Sequence, residues 1–139
     1  MELFDLTGKV AIITGSSRGI GKAIAERLAE HGAKVVISSR KAGPCDEVAA
    51  EINGKYGEGR AIAVPANIAS KEDLQRLVDE TNAAFGQIDI LVCNAGILRD
   101  KTFAKMDLDD FAAVVDVHLM GSVNVTKAAW PHMRERNYG

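Results

Sequence analysis

The chain has 139 residues, 47% of them apolar and 26% charged, with 17 basic against 19 acidic side chains for a net charge of −2, the profile of a single globular domain. That balance gives no support to binding nucleic acid or another polyanion. Cys45 and Cys93 stand far apart, outside any CxxC pair, which argues against a metal centre or disulfide framework and points to a reducing, cytoplasmic setting.

The opening MELFDLTGKV has acids where an export signal carries bases, so it is not read as one. No apolar run approaches the roughly 18 residues of a membrane span. KVAIIT (9–14) is a continuous apolar run ending at glycine, which predicts a strand buried on both faces. Residues 19–31 predict a helix with Ile20, Ala23, Ile24 and Leu28 on its inner face and Gly32 as its stop. KVVISS (34–39) predicts the second strand, and Pro44 suits the first turn of a helix that DEVAAEINGKYG continues. RAIAVPA (60–66) predicts the third strand. Ser70 with Asp73 resembles a capping box opening a helix that runs to about Phe85. DILVCNAG (89–96) reads as the fourth strand and its exit loop. Asp107 is the expected N-cap of a long helix reaching about Arg136, with Pro131 bending it or marking its last turns. This β-α alternation with short connections predicts an α/β domain spanning 1–139. Its sheet is parallel and doubly wound in the order 3-2-1-4, with helices on both faces.

Between the first strand and helix, Gly15, Gly19 and Gly21 form T-G-x-x-x-G-x-G. Gly15 permits the sharp turn out of the strand. The absent side chain of Gly19 lets a ligand backbone come close, and Gly21 lets the helix pack tightly on the strand. The free N–H groups and positive dipole end of the helix then suit a diphosphate. A tight turn with glycines for packing alone is the competing reading. A Walker A loop is excluded, because Gly21-Lys22 is followed by Ala23 rather than Ser or Thr.

Residues 14–21, TGSSRGIG, together with Asn94-Ala95-Gly96, resemble the short-chain dehydrogenase/reductase family. The likeness covers essentially the whole chain but only the first half of a usual member. It implies a Rossmann-like fold truncated to four strands and a dinucleotide held by Gly15, Ser17, Arg18, Gly19, Ile20 and Gly21. It also implies that Asn94, Ala95 and Gly96 run beside that dinucleotide. Cys93 stands where a second Asn is common, and a small buried apolar residue is expected there. The end of the second strand chooses the cofactor. Ser39 stands where NAD-preferring members carry Asp, and Arg40 can pair with a 2′-phosphate, with Arg18 on the same side. The expected cofactor is NADP, with NAD, or none bound, as alternatives. Asn67-Ile68 follows the third strand, where the family often has Asp-Val against the adenine, and Asn67 keeps an acceptor oxygen.

In the long helix, Phe111, Val115, His118, Ser122, Val125 and Ala129 step by three and four, and a second row runs Val114, Val117, Gly121, Ala128. That apolar surface is wider than one sheet contact needs, which leaves a homodimer contact and a single wide core face both open. His118 occupies the place of the family's catalytic Asn. A structural role and a proton-relay role remain open for it. The segment from Val117 onward resembles the hydroxyacyl-CoA dehydrogenase domain of peroxisomal multifunctional enzymes, while the first 95 residues look more like bacterial NADP-type reductases. A recombined or designed chain would account for that mixture.

The resemblance implies a catalytic Ser and a Tyr-x-x-x-Lys beyond the long helix. Here Tyr138 has only Gly139 after it, and Tyr56 has Arg60 four residues on. The catalytic set is therefore expected to be incomplete and the enzyme assignment open. Three functions follow: an NADP(H)-binding oxidoreductase module without its catalytic half, an active NADP-dependent reductase completed by a partner chain, and a fold-and-assembly module with little cofactor binding. The outer edge of the fourth strand, the helix 107–136, or both are the expected homodimer contacts.

Overall fold

The computed structural model describes residues 2–139. Four parallel strands, β1 (Val10–Thr14), β2 (Lys34–Ser38), β3 (Ala61–Ala63) and β4 (Ile90–Val92), lie in the order β3-β2-β1-β4. The central pair runs in register from Val10 opposite Lys34 to Thr14 opposite Ser38. On the other side of β1, Ala11, Ile12 and Ile13 face Ile90, Leu91 and Val92. This is the predicted doubly wound topology.

Side chains of successive strand residues point to opposite faces, and both faces of β1 and β2 are covered. Ala11, Ile13, Val35 and Ile37 pack under α1 (Gly19–Glu30) and α2 (Ala42–Tyr56) with Ala25, Ala29, Cys45, Val48 and Ile52. Ile12 and Val36 pack on the opposite face. Their partners there are Leu74, Leu77 and Val78 of α3 (Lys71–Phe85) and Val125 and Ala129 of α5 (Gly121–Arg136). Each fully buried Val, Leu or Ile side chain in these two layers contributes about 1.5–3 kcal/mol.

The helix faces differ from the sequence reading. In α1 the buried stripe is Gly21, Ala25 and Ala29, while Ile20 is 75% exposed and Ala23 also faces outward. Small residues win the inner face because they let the helix axis approach the strands closely. The long helix is continuous but not uniform. After α4 (Leu108–Val115), residues Asp116–Met120 form a π turn before α5. Only Gly121, Val125 and Ala129 of this helix are buried, so the sheet takes one stripe and not two rows. Phe111, Leu119, Val123 and Trp130 remain exposed. Pro131 lies within the last two turns, and Asn137 ends the helix in the left-handed conformation.

The predicted third strand is longer than the observed one. Its ladder bonds continue past Ala63, since the N–H groups of Val64 and Ala66 still donate to Ile37 and Ser39 carbonyls. Pro65 between them has no N–H, which ends the regular strand at an edge where that is tolerated. Ser70 caps α3 by accepting from Asp73 N–H at 3.2 Å. The reciprocal half of a capping box is absent, because the Asp73 carboxylate accepts from Asn67 N–H instead, at 2.8 Å. Asp107 caps α4 as predicted, accepting from Asp109 N–H at 2.9 Å. Cys93, expected buried, is exposed, because it follows the edge strand; Cys45 is the buried cysteine.

Candidate functional site

The carboxyl ends of the strands meet at the point where strand order reverses, between β1 and β4. In open α/β sheets that crevice is where ligands bind. The chain leaves β1 at Gly15 with φ +65°, a conformation that favours glycine. A Cβ at Gly15 would lie 2.9 Å from Ala95 Cα. One at Gly21 would strike the Gly15 carbonyl oxygen and lie 2.5 Å from Asn94 Nδ2. The glycine loop and the Asn-Ala-Gly turn are therefore fitted to each other backbone to backbone.

Thr14 and Asn94 lock that fit. The Thr14 hydroxyl accepts the N–H groups of Asn94 and Ala95, each at 3.0 Å. The Asn94 amide donates to the carbonyls of Thr14 and Gly15, each at 3.1 Å. Thr14 is a site residue the sequence reading passed over; its place as the last residue of a buried strand facing Asn94 was the available signal.

Gly19 has φ +58° and open space where a Cβ would stand. Arg18 is the N-cap of α1 and makes no side-chain capping bond, and Lys41 stands likewise at the start of α2. The helices α3 and α4, by contrast, are capped by Ser70 and Asp107. The first N–H groups of α1 thus stand without side-chain acceptors directly after the glycine loop, with the dipole's positive end beside them. An open glycine corner and uncapped N–H groups are the donor set a diphosphate needs, so the residues present fit a dinucleotide.

The other predicted positions distribute around this centre. Ser17 is half-buried; Arg18, Ile20 and Arg40 are exposed. Ser39 is half-buried, its hydroxyl 3.1 Å from the Cys45 thiol. Asn67 is exposed and its side-chain oxygen accepts Ala69 N–H at 3.0 Å, so one lone pair of the acceptor expected for adenine is engaged locally. Ile68 lies against the long helix, where a Cβ at Gly121 would come within 2.6 Å of Ile68 Cγ1.

His118, in the π turn, reaches back to the exit of β4. Its Nε2 lies 3.1 Å from Ile97 N and 2.9 Å from Ile97 O. A bare Nε2 accepts the N–H; an Nε2–H donates to the carbonyl. The ring also covers Gly96, where a Cβ would sit 2.7 Å from His118 Cε1. The carbonyl of His118 accepts the Ser122 hydroxyl at 2.9 Å. A π turn often marks a functional segment of a helix, and this one fastens the Asn-Ala-Gly turn to the long helix.

The two tyrosines lie at the opposite end of the sheet. Tyr56 shares a polar hollow with Asp5, Thr7, His31 and Arg60, and Tyr138 packs its ring 3.9 Å from Lys9 Nζ. Neither approaches the glycine loop. Among the described residues no group of three or more His, Cys, Asp or Glu could hold a metal ion, and no helix is long and apolar enough to cross a membrane.

Known proteins share this arrangement. The family model for short chain dehydrogenase matches residues 9–139. A 3-oxoacyl-(acyl-carrier-protein) reductase from Synechocystis sp. is 44% identical over 135 residues, covering 96% of this chain and 54% of that protein. The peroxisomal multifunctional enzyme type 2 of Mus musculus is 40% identical over 141 residues, covering 95% of this chain but 18% of that protein. A short-chain type dehydrogenase/reductase from Mycobacterium marinum superposes with a TM-score of 0.93 at 36% identity, over 99% of this chain and 55% of that one. The chain thus spans about half the length of the reductases it matches. The glycine loop, the Asn-Ala-Gly turn bonded to it and the parallel sheet that carries both place this chain in the short chain dehydrogenase family of oxidoreductases.

Proposed function

We propose that residues 1–139 form a single cofactor-binding domain for NADP(H), the nucleotide-holding part of a short-chain oxidoreductase. The observation that carries the reading is the uncapped α1 N-terminus behind a left-handed Gly15 turn, locked to Asn94 at the strand switch point. In this reading the Gly15–Gly21 loop takes the diphosphate, Ser39 and Arg40 take the adenosine ribose, and Ile68 lines the adenine side. Asn94, Ala95 and Gly96 flank the nicotinamide half. The preference for a 2′-phosphate follows from charge: β2 is followed by Ser39-Arg40-Lys41 with no acid, and a guanidinium pairs with phosphate through two parallel bonds. Hydride exchange is the chemistry the bound nicotinamide supplies. In this reading His118 is a group that holds the turn beside the nicotinamide, through its ring's contacts with Ile97 and Gly96.

Calorimetric titration tests this. The chain should bind NADP+ more tightly than NAD+, and Arg40→Ala should weaken NADP+ about tenfold or more while leaving NAD+ within twofold, the loss of one charge-assisted contact. Equal affinities for the two dinucleotides, or no heat at millimolar concentration, would remove the assignment.

A second reading, association between copies, is favoured by the exposed apolar row of Leu119 in the π turn with Val123 and Trp130 on α5, and by the half-buried edge strand β4. Through either surface, or both, the chain is expected to be a homodimer. Size-exclusion with light scattering at micromolar concentration should return twice the 14.9 kDa chain mass; a stable monomer would sink this reading.

A further inference from the structure

Ser16 is fully buried, and the sequence reading gave it no part in the site. Every polar group it owns near β2 is engaged. Its hydroxyl donates to the Ile13 carbonyl at 2.7 Å and accepts the Ser38 N–H at 2.9 Å, while its own N–H donates to the Ser38 carbonyl at 3.0 Å. The strand register between β1 and β2 ends at Thr14 opposite Ser38. Beyond it the chain has already turned at Gly15, and the Ser16 hydroxyl reaches back to the last N–H of β2 and to the Ile13 carbonyl that ends the β1 ladder. The loop departs toward α1 and yet stays fastened to β2. One residue beyond β2, the Ser39 hydroxyl lies 3.1 Å from the buried Cys45 thiol in the first turn of α2. The end of β2 is thus held from both sides.

We infer that Ser16 is a positioning residue that fixes the spacing between the glycine loop and the end of β2, and through that spacing favours a dinucleotide carrying a 2′-phosphate. The inference rests on the NADP(H) reading given above. A ligand gripped at two points gains from the second grip only when the separation of the grips matches its own. NADP+ carries charge at both points, the diphosphate at the loop and the 2′-phosphate at Arg40. NAD+ carries it at the loop alone. Loosening the spacing therefore costs NADP+ more than NAD+, although Ser16 itself touches neither.

Ser16→Ala keeps the volume nearly unchanged and removes the one buried hydroxyl that bonds both the Ser38 N–H and the Ile13 carbonyl. Two measurements on the full chain test the inference. In the ligand-free protein, hydrogen exchange at the Ser38 amide should quicken at least tenfold in Ser16→Ala, with circular dichroism showing the fold retained. By calorimetry, NADP+ should bind about tenfold more weakly while NAD+ changes less than threefold, so the preference ratio falls. If the alanine variant does not fold, Ser16→Cys carries the same comparison with a change of about threefold, because a thiol is a weak acceptor. Unchanged Ser38 exchange overturns the inference, as does an unchanged NADP+ to NAD+ ratio in a protein that binds both. Wild-type protein that binds neither dinucleotide overturns the NADP(H) reading and the positioning role with it, and the wild-type titration alone separates that failure from the other.

Discussion

Asp89→Ala should destabilise the fold by about 3–5 kcal/mol, read from the urea midpoint at neutral pH. The Asp89 side chain is wholly buried at the start of β4, and the Arg136 guanidinium reaches it at 2.7 Å from the end of α5. It also accepts the Val10 N–H at 2.8 Å and the Gln87 amide at 2.6 Å. One carboxylate therefore ties together the start of β1, the start of β4 and the end of α5. Removing it strands the buried Val10 N–H and the guanidinium. Arg136→Ala should cost less, about 2 kcal/mol, because two donors to Asp89 remain and the arginine is one-third exposed, so water can follow it in.

The same carboxylate sets an acid limit. Burial alone would raise its pKa. The hydrogen bond from Arg136, then those from Val10 N–H and Gln87, and the arginine's charge outweigh burial and hold it below the usual carboxylate range. A group whose pKa is lower folded than unfolded contributes stability above its unfolded value, near 3.9, and that stability is lost as pH falls through the folded value. The wild-type melting temperature should therefore drop between about pH 4 and pH 2, and Asp89→Asn should flatten that part of the profile. An equally steep acid limb in Asp89→Asn would assign the loss to other carboxylates.

Gly21→Ala should be the most damaging single methyl in the glycine loop. The new Cβ meets the Gly15 carbonyl oxygen and Asn94 Nδ2, and the first of these is backbone that has no rotamer to move to. Overpacking of this kind costs about 3 kcal/mol. Relief requires α1 to move off β1 or the Asn94 bonds to Thr14 and Gly15 to break, and either change opens the loop. Dinucleotide binding should fall more than a hundredfold wherever the variant remains folded. Gly19→Ala makes the informative contrast. Its Cβ meets no protein atom, so its cost to the fold is an L-residue at φ +58°, about 1 kcal/mol, while the same Cβ would stand in the corner assigned to the diphosphate. If thermal melting ranks these two variants the other way, the fitted loop and turn are not what holds the site together.

The strands and their order were legible because both faces of β1 and β2 are covered. Burial on both faces demands unbroken apolar runs, and VAIIT and KVVIS announce themselves. The glycine loop was legible because a left-handed turn such as Gly15 restricts residue choice at one position. The helix faces were less legible. Hydropathy placed Ile20 and Ala23 inward and ran two apolar rows along the last helix, whereas close approach to the sheet selected Gly21, Ala25 and Ala29 in α1 and Gly121, Val125 and Ala129 in α5. Size at the contact decided those faces, and a hydropathy pattern does not rank residues by size. Cys93 was misplaced for a related reason: burial at the end of β4 depends on a neighbour beside that edge, not on the cysteine.

By itself the sequence determined the α/β alternation, the parallel order β3-β2-β1-β4, and a phosphate-sized turn between β1 and α1. Local chemistry dictates each of these. Turn geometry restricts residue type, buried strands must be apolar, and right-handed crossovers leave few topologies. Tertiary structure alone decided which groups meet across the chain. Thr14 closes on Asn94 and Ala95, Ser16 fastens the loop to Ser38, His118 reaches Ile97 and covers Gly96, and Asp89 gathers Val10, Gln87 and Arg136. Each is a polar contact whose partner is remote in sequence or lies across a turn. Such contacts leave no periodic trace, since a single hydrogen-bonding side chain looks the same in a sequence whether it faces water or a buried amide.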